Sequence, residues 1–237
     1  MDLRSPRITE DHLVKSHPSS LKAKSFAADF GDFGEDIAFQ DHKICFVTKF
    51  ARGKDVLDLG CVQHNPDNYQ SRYWLHRALK EVSSSLLGLD LFEEGVRILQ
   101  QRGYDVVLGD AQDFRLNQTF DVIVAGDLIE HLEDLSGFLE CCTVHLRVGG
   151  RLIVSTPNPW YWRNTVKAAL HTEVATNPEH TCWLCPRTLR QLVQRHGFNL
   201  GEIAFGSRYA RDRFLPLPKG WRHTSFHAEV YRSNDRR

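Results

Sequence analysis

The chain has 237 residues, 41% apolar and 25% charged, which suits one decorated domain or two small ones and excludes global disorder. Thirty Lys and Arg balance thirty Asp and Glu. That weighs against a nucleic-acid binder built on a strong positive field, without excluding a local basic patch. No apolar run reaches the roughly 20 residues that span a bilayer. The first residues lack the apolar segment of a signal peptide, so a cytoplasmic protein with no membrane partner is expected.

Residues 1–36 read as a polar N-terminal extension or lid carrying Phe26, Phe30 and Phe33, and residues 37–237 as one domain. Apolar spacing predicts a helix over 37–50, with Gly53 just beyond it. An alternation follows: strands at 55–59, 85–90, 105–108, 120–125 and 151–155, and helices at 74–81, 93–101, 135–146 and 187–196. Two further strands are expected at 201–205 and 226–231. Near-continuous apolar strands separated by helices imply an α/β fold. The expectation is a Rossmann-like, doubly wound, mostly parallel sheet with helices on both faces and a C-terminal antiparallel hairpin.

In such a sheet ligands sit beyond the carboxyl ends of the strands. Strand 55–59 runs into Gly60, whose freedom allows a sharp turn and a close backbone approach. Strand 85–90 ends in Asp90, a carboxylate with two oxygens for the hydroxyls of a ribose. Asp110 and Ala111 follow the third strand, where a carboxylate and a backbone N–H can read an adenine edge, and Asp127 follows the fourth. Helix capping is the competing use of Asp90 and Asp110.

The ordered set VLDLGC, LLGLD, GDAQDF, FDVIVAGDLIEHL and LRVGGRLIVSTPNP resembles class I S-adenosylmethionine (SAM) dependent methyltransferases over about residues 50–205. The resemblance implies a methyl-transferring enzyme with SAM as cofactor. It puts Asp58, Gly60 and Cys61 at the methionine part, Asp90 and Leu91 at the ribose, Asp110 and Ala111 at the adenine, and Asp127 near the sulfonium. Two departures stand out. The first loop reads Gly60-Cys61-Val62-Gln63-His64, with side chains expected to narrow the backbone approach. Positions 58 and 90 lie 32 apart, so a looped-out segment bordering the cofactor is expected between them.

Asp127, Glu130 and His131 share one face of a helical turn and are candidate ligands for a divalent cation, with His180 as a distal partner. The turn resembles those of the ubiquinone-pathway O-methyltransferases and of the small-RNA 3′-terminal 2′-O-methyltransferases. The latter hold magnesium with a Glu-x-x-Glu-His turn and a distal histidine, which implies Mg²⁺ here. Without a cation, His131 or His180 is the candidate general base. Cys182 and Cys185 have C-x-x-C spacing but no second pair to complete a zinc site. Trp160, Tyr161 and Trp162 are candidate acceptor-binding aromatics, with a packed loop anchor as the competing reading. Arg208, Arg211 and Arg213 could hold an anionic acceptor group, or form a solvated loop. The reading is a small-molecule O-methyltransferase acting on a sugar or secondary-metabolite hydroxyl. The alternatives are an RNA-terminal 2′-O-methyltransferase and a non-catalytic SAM-binding regulator.

Overall fold

A computed structural model describes residues 38–64, 66–170, 177–206 and 208–233. The extension, its three phenylalanines and Arg236-Arg237 lie outside the described residues. The elements run α1 (Ala38–Ala51), β1 (Asp55–Leu59), α2 (Leu75–Val82), β2 (Ser85–Asp90), α3 (Glu93–Gln101), β3 (Val106–Leu108) and β4 (Phe120–Gly126). They continue as α4 (Leu135–His145), β5 (Leu146–Pro157), α5 (Trp162–Leu170), α6 (Pro186–Arg195), β6 (Phe198–Phe205) and β7 (Ser225–Arg232). Short 3₁₀ turns include Pro66–Gln70 and Ile129–His131.

Seven strands form one sheet in the order β3-β2-β1-β4-β5-β7-β6. Only β7 runs against the others, paired antiparallel to both β5 and β6. The strands read as apolar runs because both faces are covered. Alternate residues supply two separate cores. Leu57, Leu59, Ile123, Ala125, Leu152 and Val154 pack with α4 and α6. Val56, Val122, Val124 and Ile153 pack with Phe46, Val47 and Ala51 of α1 and Leu75 and Leu79 of α2. Each buried aliphatic side chain contributes roughly 1.5–3 kcal/mol, so the sheet is the rigid platform on which its strand ends are held. The strand order reverses between β1 and β4, which puts the binding crevice at their carboxyl ends.

Three expectations change. β5 starts at Leu146 rather than at 151: Phe120 pairs with Leu146, and after a bulge Val122 pairs with Arg151. The segment between positions 58 and 90 is folded, not looped out. It contains the Pro66–Gln70 turn and a fully buried Trp74 whose Nε1 donates to the Cys61 carbonyl at 2.7 Å. The aromatic run enters α5, a helix absent from the expected set, which buries no residue.

Candidate active site

Gly60 turns the chain out of β1 with φ +76°, a left-handed geometry that favours glycine. Its N–H donates to the Leu89 carbonyl at 2.8 Å. Cys61 and Val62 do not crowd the crevice: both are buried. The space they need is conceded by glycines opposite. A Cβ on Gly88 would fall 2.7 Å from Cys61 Sγ, and one on Gly95 would fall 2.4 Å from Val62 Cγ1. The glycine requirement has moved from the loop to β2 and α3.

Asp90 binds that loop. Its Oδ2 accepts from Val62 N at 2.8 Å and its Oδ1 from Phe92 N at 2.9 Å. An ionised carboxylate has about four acceptor positions, so capacity remains for two hydroxyls. Asp90 is not the cap of α3; Phe92 stands there without a side-chain bond. Leu91, 69% exposed, offers an apolar surface beside the carboxylate. Asp110 Oδ1 accepts from Gln112 N at 2.9 Å, and Ala111 is buried. Gln112 Oε1 in turn accepts from Glu133 N and Asp134 N, tying this strand end to α4. Asp58 is buried, its Oδ2 2.9 Å from His76 Nδ1. Burial pushes its carboxyl up, against the opposing effect of His76. Asp58 thus shares one carboxylate oxygen with His76 of α2 beneath the strand end.

At the end of β4, Asp127 has φ +52°. Its Oδ2 accepts from Lys43 Nζ at 2.8 Å and its Oδ1 from Ser155 Oγ at 2.7 Å. Burial works against its charge, but the Lys43 ammonium and these bonds prevail and hold the carboxyl below the usual range. His227, opposite Ser155 in the β5–β7 register, is buried with neither ring nitrogen bonded. Burial lowers it to about 4, so it is neutral at pH 7. Sequence reasoning missed Lys43, His76 and His227. Lys43 alone left a signal, a cation on the α1 stripe that also carries Val47 and Ala51.

The next turn gathers the remaining candidates. Glu130 is 1% exposed, and its Oε2 has no hydrogen-bond partner. Burial, reinforced by the Asp127 charge, lifts its carboxyl to about 8. The His131 and His180 rings lie 4.7 Å apart at 87°. His180 Nδ1 is also buried and unbonded. Burial lowers both histidines, helped at His131 by the neighbouring His180 and His64. Donor atoms of Glu130, His131 and His180 lie within 4.8 Å of one another. Asp127, expected as a fourth ligand, is not in this group, and its two oxygens accept from Lys43 and Ser155.

His180 reaches the turn because its segment is laced to it. Thr181 N and Oγ1 both donate to the Glu130 carbonyl, and Oγ1 also reaches the Leu132 carbonyl at 2.7 Å. The two cysteines serve this lacing. Cys182 Sγ contacts the Ile129 carbonyl at 3.7 Å, and Cys185 caps α6 in a reciprocal box with Thr188.

The three aromatics separate. Tyr161 is buried and its hydroxyl donates to the buried Asp212 at 2.5 Å, so it anchors the loop. Trp160 is 41% exposed. Trp162 Nε1 is buried without a partner. Arg163, not singled out by sequence, pairs with Asp212 at 3.4 Å. Arg208 and Arg211 are exposed. Nothing is described of the Arg213 side chain.

The sheet order, the Gly60 turn and the acidic strand ends together define a class I SAM-dependent methyltransferase fold. Residues 37–203 match the family described as a methyltransferase domain, and the chain belongs to that family. It is similar to the mitochondrial ubiquinone biosynthesis O-methyltransferase of Homo sapiens, 26% identical over 64% of this chain and 43% of the relative. A probable S-adenosylmethionine-dependent methyltransferase of Mycolicibacterium smegmatis is 30% identical over 71% of this chain and 62% of the relative. The match thus spans less than half the length of the human protein. The crystal structure of a SAM dependent methyltransferase from Archaeoglobus fulgidus superposes with a TM-score of 0.61 at 17% identity, covering 82% of this chain and 92% of that one. Among the described residues no helix is long and apolar enough to cross a membrane.

Proposed function

We propose that this domain methylates a hydroxyl of a small molecule carrying two adjacent oxygens, such as a catechol or a sugar diol, with a divalent cation at Glu130, His131 and His180. The observation that carries the reading is the orphaned Glu130 Oε2, buried beside two imidazoles, one of them with an orphaned nitrogen. A buried carboxyl oxygen without a partner is costly, and a cation, which favours the ionised form, accounts for all three donors together. The likeness to ubiquinone O-methyltransferases supports oxygen as the target.

The donor set fits such an ion, and its two imidazoles weight Mn²⁺ or Zn²⁺ above Mg²⁺. Bound there, the cation would lower the pKa of an acceptor hydroxyl. SAM supplies a methyl on a sulfonium, open to in-line displacement by the acceptor oxygen. The chain's own residues do the rest. Val62 and Asp90 fix the cofactor loop, and Lys43 and Ser155 hold Asp127 ionised at the strand end. Neutral His131 and His180 offer lone pairs to the cation or, without it, accept the hydroxyl proton. Alignment of acceptor and donor lowers the barrier by removing their relative translational and rotational freedom beforehand.

The test is methyl transfer from labelled SAM to a catechol panel, with and without a chelator, for the wild type and Glu130→Gln. The expectation is chelator-sensitive O-methylation lost in E130Q. Chelator-insensitive turnover would remove the cation, and methylated nitrogen as the product would remove the acceptor class.

A further inference from the structure

The cofactor loop ends in a second donor group, distinct from the inner one. His64 Nδ1 lies 3.7 Å from Glu179 Oε2, and the His64 and His131 rings are 5.3 Å apart. One donor atom from each of His64, His131 and Glu179 falls within 4.8 Å of the other two. Glu130 and His180 are not members; His131 alone belongs to both groups. A distance of 3.7 Å is too long for a hydrogen bond, and both side chains are mostly exposed, 69% and 60%. A direct ion pair there holds little, yet the backbone takes left-handed φ at both Gln63 and His64 to bring this imidazole to the spot.

We propose that His64, His131 and Glu179 form an outer site for a borderline divalent cation such as Zn²⁺, and that its occupancy pins the cofactor loop to segment 177–182. Two imidazoles and a carboxylate make a three-ligand set for tetrahedral zinc, the fourth position facing solvent. A neutral imidazole has one lone pair, so His131 serves one ion at a time and the outer site competes with the inner. Val62 N–H, on the pinned loop, holds Asp90, so outer-site occupancy and cofactor affinity are linked, and the linkage is reciprocal. The outer site is independent of any acceptor.

The test titrates Zn²⁺ into the tag-free chain against a chromophoric chelator. His180→Ala disables the inner site and keeps the outer. The expectation is that H180A binds one Zn²⁺. Adding His64→Ala or Glu179→Gln then weakens binding at least about tenfold, since losing a ligand costs no less than losing a supporting partner. Both added changes are at exposed side chains, and a thermal melt verifies folding. In H180A, Zn²⁺ slows S-adenosylhomocysteine dissociation; in H180A/H64A it does not. Loss of zinc in H180A alone, or equal affinity with and without His64, overturns the outer site. Unchanged dissociation in zinc-loaded H180A overturns the pinning. The inner site is read separately: H64A that still binds zinc retains it, and H64A that does not lacks it, whatever H180A does.

Discussion

Replacing Gly95 by Ala tests whether the loop's missing glycines have been relocated to its partners. The new Cβ would lie 2.4 Å from Val62 Cγ1 and 2.9 Å from Phe92 Cδ1, against about 3.5–4.0 Å for relaxed carbon contacts. Phe92 is 38% exposed and can swing away. Val62 is 1% exposed and, being β-branched, has one stiff rotamer, so the backbone that carries it must move. Overpacking of this kind costs about 1–3 kcal/mol, while alanine for glycine in the first turn of α3 returns up to about 1 kcal/mol. The net change in stability is therefore small, about 0–2 kcal/mol. Affinity responds more: a displaced Val62 N–H loosens its bond to Asp90, and a charge-assisted bond is worth about 1.5–3 kcal/mol, or roughly tenfold or more in affinity. Urea melts and calorimetry with S-adenosylhomocysteine measure the two effects. Val62→Ala in the G95A background should restore binding, with a coupling energy above about 0.5 kcal/mol. A G95A protein stabilised by the full helix gain and binding S-adenosylhomocysteine as before would refute the reasoning.

Further outcomes follow from the same contacts. Asp90→Ala should weaken S-adenosylhomocysteine by roughly 10–100-fold in calorimetry, as two charge-assisted bonds and a hydroxyl acceptor go; an unchanged affinity would remove the ribose assignment. His227 makes the fold acid-sensitive. The unfolded chain takes up its proton near 6.5, while the native ring stays neutral to about 4. Stability is thus complete above 6.5 and lost as pH falls toward 4, by about 3 kcal/mol. His227→Leu should flatten that part of the urea-midpoint curve, and an unaltered slope would place the proton elsewhere. Tyr161→Phe should cost about 1–3 kcal/mol by stripping a partner from buried Asp212. Trp160→Ala should leave the melt in place and alter KM, and the reverse pattern would exchange their roles.

The sheet and its strand ends were legible because burial on both faces writes unbroken apolar runs and each ligand-facing group follows one directly. Glu130, His131 and His180 were legible through helical spacing and resemblance. What sequence could not show depends on partners distant along the chain. Asp127 was legible as a strand-end acid, but its ammonium partner Lys43 lies 84 positions away. The partner of Asp58, His76, lies 18 positions on and left no mark in the strand motif. Tyr161 and Trp160 are neighbours in sequence, and only Asp212, 51 residues on from Tyr161, tells the anchor from the exposed ring. Cys61 and Val62 looked obstructive because the space made for them is written at positions 88 and 95.

The position of β7 bears on how the chain assembles. β6 is made before β7 yet has no partner until β7 slots between it and β5. Until then β5 presents an open edge of apolar residues, a template for pairing with another chain. Closure joins segments such as Leu152 with Val230, 78 residues apart, and β7 is the last of the described strands to be made. A stop codon or a ribosomal stall upstream of Ser225 would therefore release a species with a nearly complete cofactor crevice and an unprotected flank. Quality-control factors would be expected to recognise that flank, even though β1 to β4, whose ends form the crevice, are already in register.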